Sequence, residues 1–444
     1  LYSGPISDSL GVRLVARYSD LNGYFNVKSV PANGDPLITK APIDSWPYGE
    51  DFFARGTVVF EPNDALRVKG KLTYNESKLE GGSILAQQRI ICPLGAPQLQ
   101  PAFPCKADRD IYAGNGRPED VALAAGAPST NGIGFRNNQQ ILGTVQVDYK
   151  LTPDLIATSV SGYYMFDEVN AHDASIGPRA VLLVPYLPFE MNQFTQEVRL
   201  ASDWDFPVNF TLGAFYETRD TYGAQDAVIT AFPPASFSIG QEQTFQDQEA
   251  FSIFGQLLWD VTDRLEISGG VRYSEEEKDL RFLHRGVDVT ANLATDNLSF
   301  DNLSPELTVS YDLTDDVMLF GSYKEGFKSG GFDGGFTNGA IAAGNFANTF
   351  DEETVTGFEG GVKATLFDQL VLNVTAYEFD YEDLQVGAFD PDSISFKVLN
   401  AAAAKVRGIE ADINWRTPAE GLWIRGSLAL NDAKFEDFMS GCYL

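Results

Sequence analysis

Apolar and polar residues alternate along one short segment of this chain after another. Between Leu66 and Tyr74 every second residue is apolar or glycine, and three of the positions between them carry cations. A period of two places the apolar side chains on one face of a β-strand and the polar side chains on the other. The alternation recurs near residues 140–150, 208–217, 251–260, 265–274, 306–313 and 422–431. One such strand also fits a soluble sandwich, but repeated strands with charge along the whole polar face indicate a water-filled interior rather than a dry core.

Composition narrows the remaining classes of protein. The 444 residues include 32 Lys and Arg against 62 Asp and Glu, and the resulting net charge of −30 argues against a nucleic-acid partner. Two histidines and three cysteines supply little for a His/Cys metal centre, and we predict no cofactor. No segment approaches the roughly 18 apolar residues of a spanning helix. A transmembrane β-barrel stays open, because its apolar residues occupy alternate positions.

The predicted strands are joined by two alternating kinds of connection. Short ones, rich in Pro, Asp and Asn, predict tight turns at residues 5–8, 62–64, 152–154, 203–205, 262–264, 314–316, 367–369 and 417–420. Long ones cover about residues 21–48, 78–138, 170–189, 222–243, 282–299 and 328–349. This asymmetry is typical of a bacterial outer-membrane barrel with short periplasmic turns and long extracellular loops. We therefore predict an all-β, antiparallel transmembrane β-barrel with about fifteen strands in this chain.

Five segments of the predicted strands stand out: Gln196-Glu197-Val198-Arg199-Leu200, Gly269-Gly270-Val271-Arg272-Tyr273, Tyr323-Lys324-Glu325-Gly326-Phe327, Phe358-Glu359-Gly360-Gly361-Val362 and Gly408-Ile409-Glu410. They resemble the strand signatures of the TonB-dependent outer-membrane receptors. In their order and spacing, such segments extend over about residues 4–435. The resemblance implies a 22-stranded barrel in the bacterial outer membrane, filled by an N-terminal plug domain that engages the TonB complex. It also implies active uptake of a scarce large nutrient, and we expect a ferric siderophore.

Residues 1–444 are expected to form an incomplete barrel domain. The chain opens at Leu1 without a signal-peptide pattern and stops at Leu444 in a predicted loop. We expect the plug and roughly three strands to precede it and about four to follow, which with about fifteen here gives the 22 strands of the receptors it resembles. The expected partners are outer-membrane lipid, the TonB complex through the plug, and a small-molecule nutrient.

The long loops are the natural place for ligand capture, because loops on a rigid scaffold carry recognition. One candidate stretch is the Gly/Phe-rich segment 326–336, and another is the segment 379–383 at the predicted top of a strand. The candidate ligand-binding residues are Phe327, Lys328, Phe332, Asp333, Phe336, Tyr381 and Asp383. The alternative is that these aromatic rings pack against neighbouring loops and that residues 379–383 are strand rim, and we favour that packing.

Charged residues on the predicted lumen side allow two roles. They are Arg13, Arg17, Arg55, Arg67, Lys69, Lys71, Arg199, Arg272, Glu359 and Glu410. They could guide an anionic solute, or they could pair across strands and hold a plug by salt bridges. We favour pairing, which is the usual fate of charge in a barrel lumen.

Cys92 and Cys105 lie in one long predicted loop, and we expect a local disulfide between them in an exported protein. Cys442 is then expected to have its partner elsewhere. Two other functions compete with the receptor: a passive porin, and a barrel hydrolase. The hydrolase lacks support, because both histidines fall in predicted loops and no nucleophile motif surrounds a serine. We therefore predict no catalytic residues.

Overall fold

The computed structural model describes residues 1–29, 44–80, 109–113, 135–171, 182–232, 235–333, 349–390 and 395–438. Within these ranges the chain is almost entirely β-strand, with one short 3₁₀ helix at Thr290–Asn292, and no helix there is long and apolar enough to cross a membrane. The strands are β1 (Tyr2–Ser7), β2 (Leu10–Ser29), β3 (Ser45–Asn63), β4 (Leu66–Glu80), β5 (Asp110–Ala113), β6 (Phe135–Thr152), β7 (Leu155–Ala171), β8 (Leu182–Ser202), β9 (Val208–Phe232), β10 (Ala235–Thr262), β11 (Leu265–His284), β12 (Val287–Asp288), β13 (Asn297–Thr314), β14 (Val317–Lys328), β15 (Gly331–Phe332), β16 (Thr349–Phe350), β17 (Glu353–Leu366), β18 (Leu370–Asp390), β19 (Ser395–Arg416) and β20 (Trp423–Phe438).

The long strands form one antiparallel meander. From β1 to β20 each long strand pairs with the next long strand along the chain. The short β5 departs from this order and pairs in parallel with the end of β2. Fifteen of the described strands have 12 or more residues, which confirms the predicted count of about fifteen antiparallel strands.

The eight predicted tight turns join β1–β2, β3–β4, β6–β7, β8–β9, β10–β11, β13–β14, β17–β18 and β19–β20, within one or two residues of their predicted positions. Because the strands alternate in direction, all eight turns lie at the same end of the sheet, which we call the short-turn end. The other end is the long-loop end. One predicted long loop is wrong, because residues 222–243 lie mostly in β9 and β10, which remain paired up to Phe232 and Ala235.

Pairing in register gathers the apolar residues on one face of the sheet. Leu66 faces Tyr149 across the β4–β6 pair, and Val68 faces Val147. Many side chains of this apolar face are exposed in the isolated chain, including Leu212 at 53% and Ile253 at 51%. In the described ranges, only six apolar residues other than glycine are buried. The sheet therefore has one apolar and one polar face, as the alternation in the sequence predicted.

Aromatic residues mark both edges of the apolar face. On β10, Trp259 lies near the short-turn end and Phe251 lies toward the long-loop end, and the nine positions between and including them are close to the roughly 9–11 residues of a membrane-spanning strand. Rings on the long-loop side are Tyr18, Phe52, Tyr74, Tyr163, Phe194, Tyr216, Phe251, Tyr273, Tyr323 and Phe358. Such paired girdles are characteristic of barrels at the two membrane–water interfaces.

Polar residues also occur on the apolar face, where they satisfy one another. Gln196 donates from Nε2 to the hydroxyl of Ser159 at 3.0 Å, and the hydroxyl of Ser161 donates to its Oε1 at 2.5 Å. Hydrogen bonds of this kind make polar groups tolerable next to hydrocarbon. The expected disulfide residues, Cys92 and Cys105, and the candidate residue Phe336 lie outside the described residues.

Candidate ligand-binding site at the long-loop end

Four of the candidate residues lie where β14 ends and the chain folds back. Phe327 and Lys328 are the last residues of β14, Phe332 belongs to β15, and Asp333 follows it. β15 pairs with β16, with Phe332 opposite Thr349, so a short two-stranded sheet forms the base of the connection between β14 and β17. The carboxylate of Asp333 accepts a hydrogen bond from the backbone N–H of Val398 at 3.3 Å.

Tyr381 and Asp383 lie inside β18, which continues to Asp390. The segment thus lies within the strand and not at its top, and its role as strand or as ligand site stays a prediction. The β18–β19 register shifts between Tyr381 and Leu384, and Asp383 adopts a φ of 52°, which is uncommon for a residue other than glycine. A bulge of this kind redirects the side chains around it, and the side chain of Asp383 is exposed.

A small hydrophobic cluster joins two loops to the polar face of β11. Leu280, Phe282 and Leu293 are buried, with Phe282 completely inaccessible, and Val289 and Phe332 pack against them. Leu280 and Phe282 belong to β11, whereas Leu293 follows the short 3₁₀ helix of the next loop. Phe332 thus packs as the alternative interpretation of the Gly/Phe-rich segment describes.

Lys278 connects β11 to the base of the Gly/Phe-rich segment. Its ammonium group donates to the hydroxyl of Ser329 at 2.9 Å and to the carbonyl of Gly330 at 2.5 Å, and it lies 2.9 Å from a carboxylate oxygen of Glu276. The same carboxylate accepts a hydrogen bond from Ser329. The Lys278 side chain is only 10% exposed, and it lies 5.6 Å from the ring centre of Phe300. A buried cation is tolerated here because every one of these partners compensates its charge.

Close packing at this point requires glycine. A Cβ atom on Gly330 would collide with the carbonyl oxygen of Phe350 and with the ring of Phe300. A Cβ atom on Gly331 would press against the ring of Phe350. The glycines therefore let the segment lie flat against its neighbours, rather than only making it flexible.

Two amide side chains hold the segment from the other side. Gln385 donates from Nε2 to the carbonyls of Ser329 and Asp351, at 3.0 Å each. Asn400 donates from Nδ2 to the carbonyls of Asp351 at 2.8 Å and Asp383 at 2.9 Å, and its Oδ1 accepts from the Asp351 N–H at 2.7 Å. These amides tie the β14–β17 connection to the bulge of β18. We name Glu276, Lys278, Ser329, Gly330, Gln385 and Asn400 the loop-base cluster.

The exposed members of the candidate set surround this cluster. The Lys328 side chain is 62% exposed, and its ammonium nitrogen is 4.0 Å from a carboxylate oxygen of Glu353. Asp383 is also exposed. A rigid base that carries an exposed cation, an exposed carboxylate and nearby aromatic rings can bind a polar ligand by contact. In the described ranges, no group of three or more His, Cys, Asp or Glu side chains could hold a metal ion.

Two carboxyl groups at this end have raised pKa values. Burial raises the pKa of Glu352, and the neighbouring carboxylates of Asp301 and Asp351 raise it further. Burial raises the pKa of Glu242 to about 7. Glu242 faces His284 across the β10–β11 pair, and burial lowers the pKa of that imidazole, with a further contribution from the charge of Arg285.

Sequence reasoning missed Lys278 and Glu276, although a signal for them exists. On the polar face of β11 the order Arg272, Ser274, Glu276, Lys278 gives way to Leu280 and Phe282. Apolar residues that appear on a polar face indicate contact with another segment. The identity of that segment, some 50 residues further along, is not encoded locally.

Comparisons with known proteins agree with this architecture. The family model described as "TonB dependent receptor-like, beta-barrel" matches residues 106–440, which is more than half of the chain. A pesticin receptor of Yersinia enterocolitica serotype O:8 is 23% identical over 323 residues, which cover 72% of this chain and 44% of that receptor. A pesticin receptor of Yersinia pestis is 22% identical over the same shares. The chain therefore spans less than half the length of these relatives.

Solved structures show the same fold. The ferric yersiniabactin uptake receptor of Yersinia pestis matches with a TM-score of 0.72 at 17% identity, covering 98% of this chain and 59% of that one. The ferripyoverdine receptor of the Pseudomonas aeruginosa outer membrane, bound to ferripyoverdine, matches with a TM-score of 0.66 at 12% identity, covering 98% and 54%. In both cases the likeness extends over nearly the whole of this chain.

Proposed function

The chain belongs to the family of TonB-dependent receptors, and from this premise we propose that it forms the barrel of a transporter for a ferric siderophore. Members of the family are receptors in the outer membrane of Gram-negative bacteria and not enzymes, so the apolar face of the sheet contacts lipid. The family match over residues 106–440 carries the proposal. The siderophore substrate is supported by the named functions of similar receptors, which include uptake of ferric yersiniabactin and binding of ferripyoverdine.

Uptake by this family implies two partners that the chain itself does not display. We propose that a plug domain N-terminal to this barrel domain occupies the polar interior and transmits energy from the TonB complex. Strands further along the protein would complete the 22-stranded barrel. Support comes from family membership and from the polar face, which offers hydrogen-bonding groups to a folded insert along its whole length.

The ligand would bind at the long-loop end, around the loop-base cluster. Lys328 would contact an acidic group of the ligand and Asp383 a donor, while Tyr381 would supply apolar surface. Phe327 lies on the opposite face of β14 from Lys328, with Tyr323, and would contact the ligand only at the outer edge of the site. Phe332 and Asp333 would act by holding the segment in place, because one packs in the hydrophobic cluster and the other caps a backbone N–H. Phe336 stays a candidate ligand residue of the same segment.

Iron uptake by a deletion strain tests the function. The complete gene is returned on a plasmid, and uptake of radioactive iron is measured from a panel of ferric siderophores, with and without a functional TonB. We expect at least one siderophore to be imported only when both the receptor and TonB are present. A receptor that assembles in the outer membrane but imports none of them would contradict the proposal, and uptake that persists without TonB would favour the passive porin.

The ligand-binding residues are tested in the same strain with the imported siderophore. Lys328→Ala and Asp383→Ala are expected to weaken binding by about tenfold each, because a lost charged contact costs on the order of 1.4 kcal/mol. Lys434→Ala, on the apolar side of β20, is the matched control and should bind normally. Unchanged affinity in both test variants would place the ligand elsewhere.

A further inference from the structure

A hollow lies on the apolar face of β3, β4, β6, β7 and β8, which are consecutive in the sheet. Its volume is about 500 Å³, within the range of about 300–1,000 Å³ that is typical of ligand sites. Gly56, Gly70 and Gly143 line it, and so do Tyr163 and Phe194, two of the rings on the long-loop side. We name it the glycine hollow. It belongs to the half of the apolar face that is nearer to the long loops.

The register of the strands produces the glycine hollow. Leu72 on β4 lies between Gly56 on β3 and Gly143 on β6 in one row across the sheet. In the next row toward the short-turn end, Gly70 faces Val145. The three glycines are therefore diagonal neighbours on adjacent strands, and their backbone forms a continuous floor. The side chain of Leu72 stands on this floor and is 60% exposed.

Packing within the described chain does not require these glycines. A Cβ atom on Gly70 would meet no other atom within 4 Å. On Gly56 and Gly143, a Cβ atom would make ordinary contacts, with Leu14 at 3.6 Å and with Leu72 at 3.8 Å. Glycine weakens the interior of a strand, and it often marks a place that another molecule approaches closely. The space above the floor is thus open to a molecule from outside the chain.

The polar group beside the glycine hollow is bonded within the sheet. The amide nitrogen of Gln196 donates to the hydroxyl of Ser159 and to the carbonyl of Glu197, at 3.0 Å each. Its amide oxygen accepts a hydrogen bond from Ser161, which lines the hollow. An unbonded polar group next to hydrocarbon would favour a partner protein, because hydrogen bonds between proteins stabilise association in lipid. A satisfied amide favours an apolar occupant instead.

The position within the sheet keeps the glycine hollow on the outside of a longer receptor. β3 and β8 each have a paired strand on both sides. Further strands would extend the sheet beyond β1 and β20, and a plug would fill the polar side. The apolar side of these five strands is therefore the same surface in a complete barrel.

Shape and surroundings favour an acyl chain over a second protein. The glycine hollow is continuous with the apolar face, which contacts lipid in an outer-membrane receptor of this family. The outer wall of a barrel is convex, so a second barrel would touch it along a narrow line and leave the hollow empty. An acyl chain is thin enough to follow the glycine floor on either side of Leu72. Contact there gains dispersion energy that an empty space loses.

We propose that the glycine hollow is a lipid site, which holds one acyl chain of an outer-leaflet lipid. The long-loop end of such a barrel is extracellular, so the hollow faces the outer leaflet. The site depends on the outer-membrane location and not on the siderophore, so a failed uptake experiment would leave it standing. A second copy of this chain and a different membrane protein are the competing occupants.

Photolabelling of the complete receptor in phosphatidylcholine vesicles tests the site. A small fraction of the lipid has a diazirine in the upper third of one acyl chain, and labelled peptides are quantified by mass spectrometry after illumination. We expect residues 66–74 and 141–149 to take up at least about threefold more label than residues 265–273, because a held acyl chain keeps its contacts longer than a mobile one. Residues 265–273 are a matched comparison, since they include the apolar-face glycine Gly269 and do not line the hollow. Equal labelling would overturn the proposal.

Variants that fill the glycine hollow separate a held acyl chain from ordinary contact with the bilayer. Gly70→Leu/Gly143→Leu should abolish the excess label and leave heat-modifiable migration normal, because leucine on the apolar face is compatible with lipid. Gly269→Leu is the matched control, since a Cβ atom there would lie 3.8 Å from Leu307, and it should leave the excess unchanged. If the double variant does not assemble, Gly70→Ala is the smaller change and should remove part of the excess. Excess label that persists in an assembled variant would overturn the proposal.

A photoreactive group at position 72 identifies the occupant in living cells. A benzophenone amino acid replaces Leu72 in the complete receptor, the cells are illuminated, and adducts are analysed by mass spectrometry and on denaturing gels. We expect lipid adducts on the receptor and no crosslinked band of higher protein mass. A crosslinked receptor dimer, or a crosslink to a different membrane protein, would overturn the assignment to an acyl chain.

Discussion

The polar face contains two regions that treat their charges in opposite ways. In the loop-base cluster, Lys278 is buried and contacts a carboxylate, a hydroxyl and a carbonyl. In a second region, the cation cluster formed by Arg13, Arg55, Lys69 and Lys71 on the polar face of β2–β4, the two lysines are half-buried and face neutral residues on the neighbouring strands. The ion-paired charge of Lys278 stabilises one conformation of a loop. The charges of Lys69 and Lys71, which face no carboxylate in the described strands, can instead attract an anionic group from outside these strands.

Glycine shows a related contrast between the two faces. On the polar face, a Cβ on Gly213 would collide with the ring of Phe254, and one on Gly357 with the ring of Phe379. On the apolar face, Gly70 has no other atom within reach of a Cβ. Aromatic rings therefore pack closely over glycine on the polar face, whereas the glycine on the apolar face has no such neighbour.

Removal of Lys278 should produce the largest effect on stability. Lys278→Met leaves the carboxylate of Glu276 buried without its cation, and we expect the free energy of unfolding to fall by about 3–5 kcal/mol. Hydrogen exchange at residues 329–333 should rise sharply, as measured by mass spectrometry of the folded receptor. Lys278→Met/Glu276→Gln should recover part of the loss. A variant as stable as the parent would show that the charges are not coupled.

The assignment of faces underlies the comparison, and a charge on the apolar face tests it. Leu212→Arg places a cation next to hydrocarbon and should make folding into lipid less favourable by about 2–4 kcal/mol. Heat-modifiable migration on gels reports assembly, and we expect it to be lost. Thr211→Arg is the control, because the adjacent residue points to the polar face. Normal migration of Leu212→Arg would show that the faces are reversed.

The long-loop end should also respond to pH through Glu242. Its pKa is about 7 in the folded chain and 4.5 in the unfolded chain, so the folded state holds a proton that the unfolded state has lost between these values. Stability from this group is therefore lost as the pH rises from 4.5 to 7. His284, whose pKa is lowered, acts in the opposite sense. Glu242→Gln should remove the decline in stability, as seen by hydrogen exchange at several pH values.

Sequence alone predicted the faces, the short turns and the number of long strands. These follow from local rules, since period-two alternation fixes the faces and Pro, Asp and Asn fix the turns. Loop boundaries were less predictable. Residues 222–243 continue β9 and β10 beyond the apolar face, where the strict alternation of apolar and polar residues disappears. The backbone pairing persists there although its sequence signal does not.

The candidate site was predictable only in part, for a physical reason. The Gly/Phe-rich segment was recognisable because glycine and aromatic residues are conspicuous on a loop. Its contacts with Lys278, Gln385 and Asn400 bring together strands that are distant in the sequence, and such contacts depend on the order and register of the strands in the sheet. The cations of the cluster were recognisable in the sequence. That no carboxylate faces them in the described strands could be seen only from the register in which β2, β3, β4 and β6 pair.

Neutralising a member of the cation cluster should have the smallest effect on stability. Lys71→Gln removes a cation that has no carboxylate partner, so no ion pair is broken and repulsion from Lys69 and Arg13 is relieved. We expect the free energy of unfolding to change by less than about 0.5 kcal/mol, or to rise slightly. Denaturant titration in lipid vesicles measures it, beside Lys324→Gln, which breaks the ion pair with Glu359 and should be more destabilising. A Lys71→Gln variant that loses as much stability as Lys324→Gln would show that the cluster is part of the structural framework. The two regions of the polar face would then differ in location but not in role.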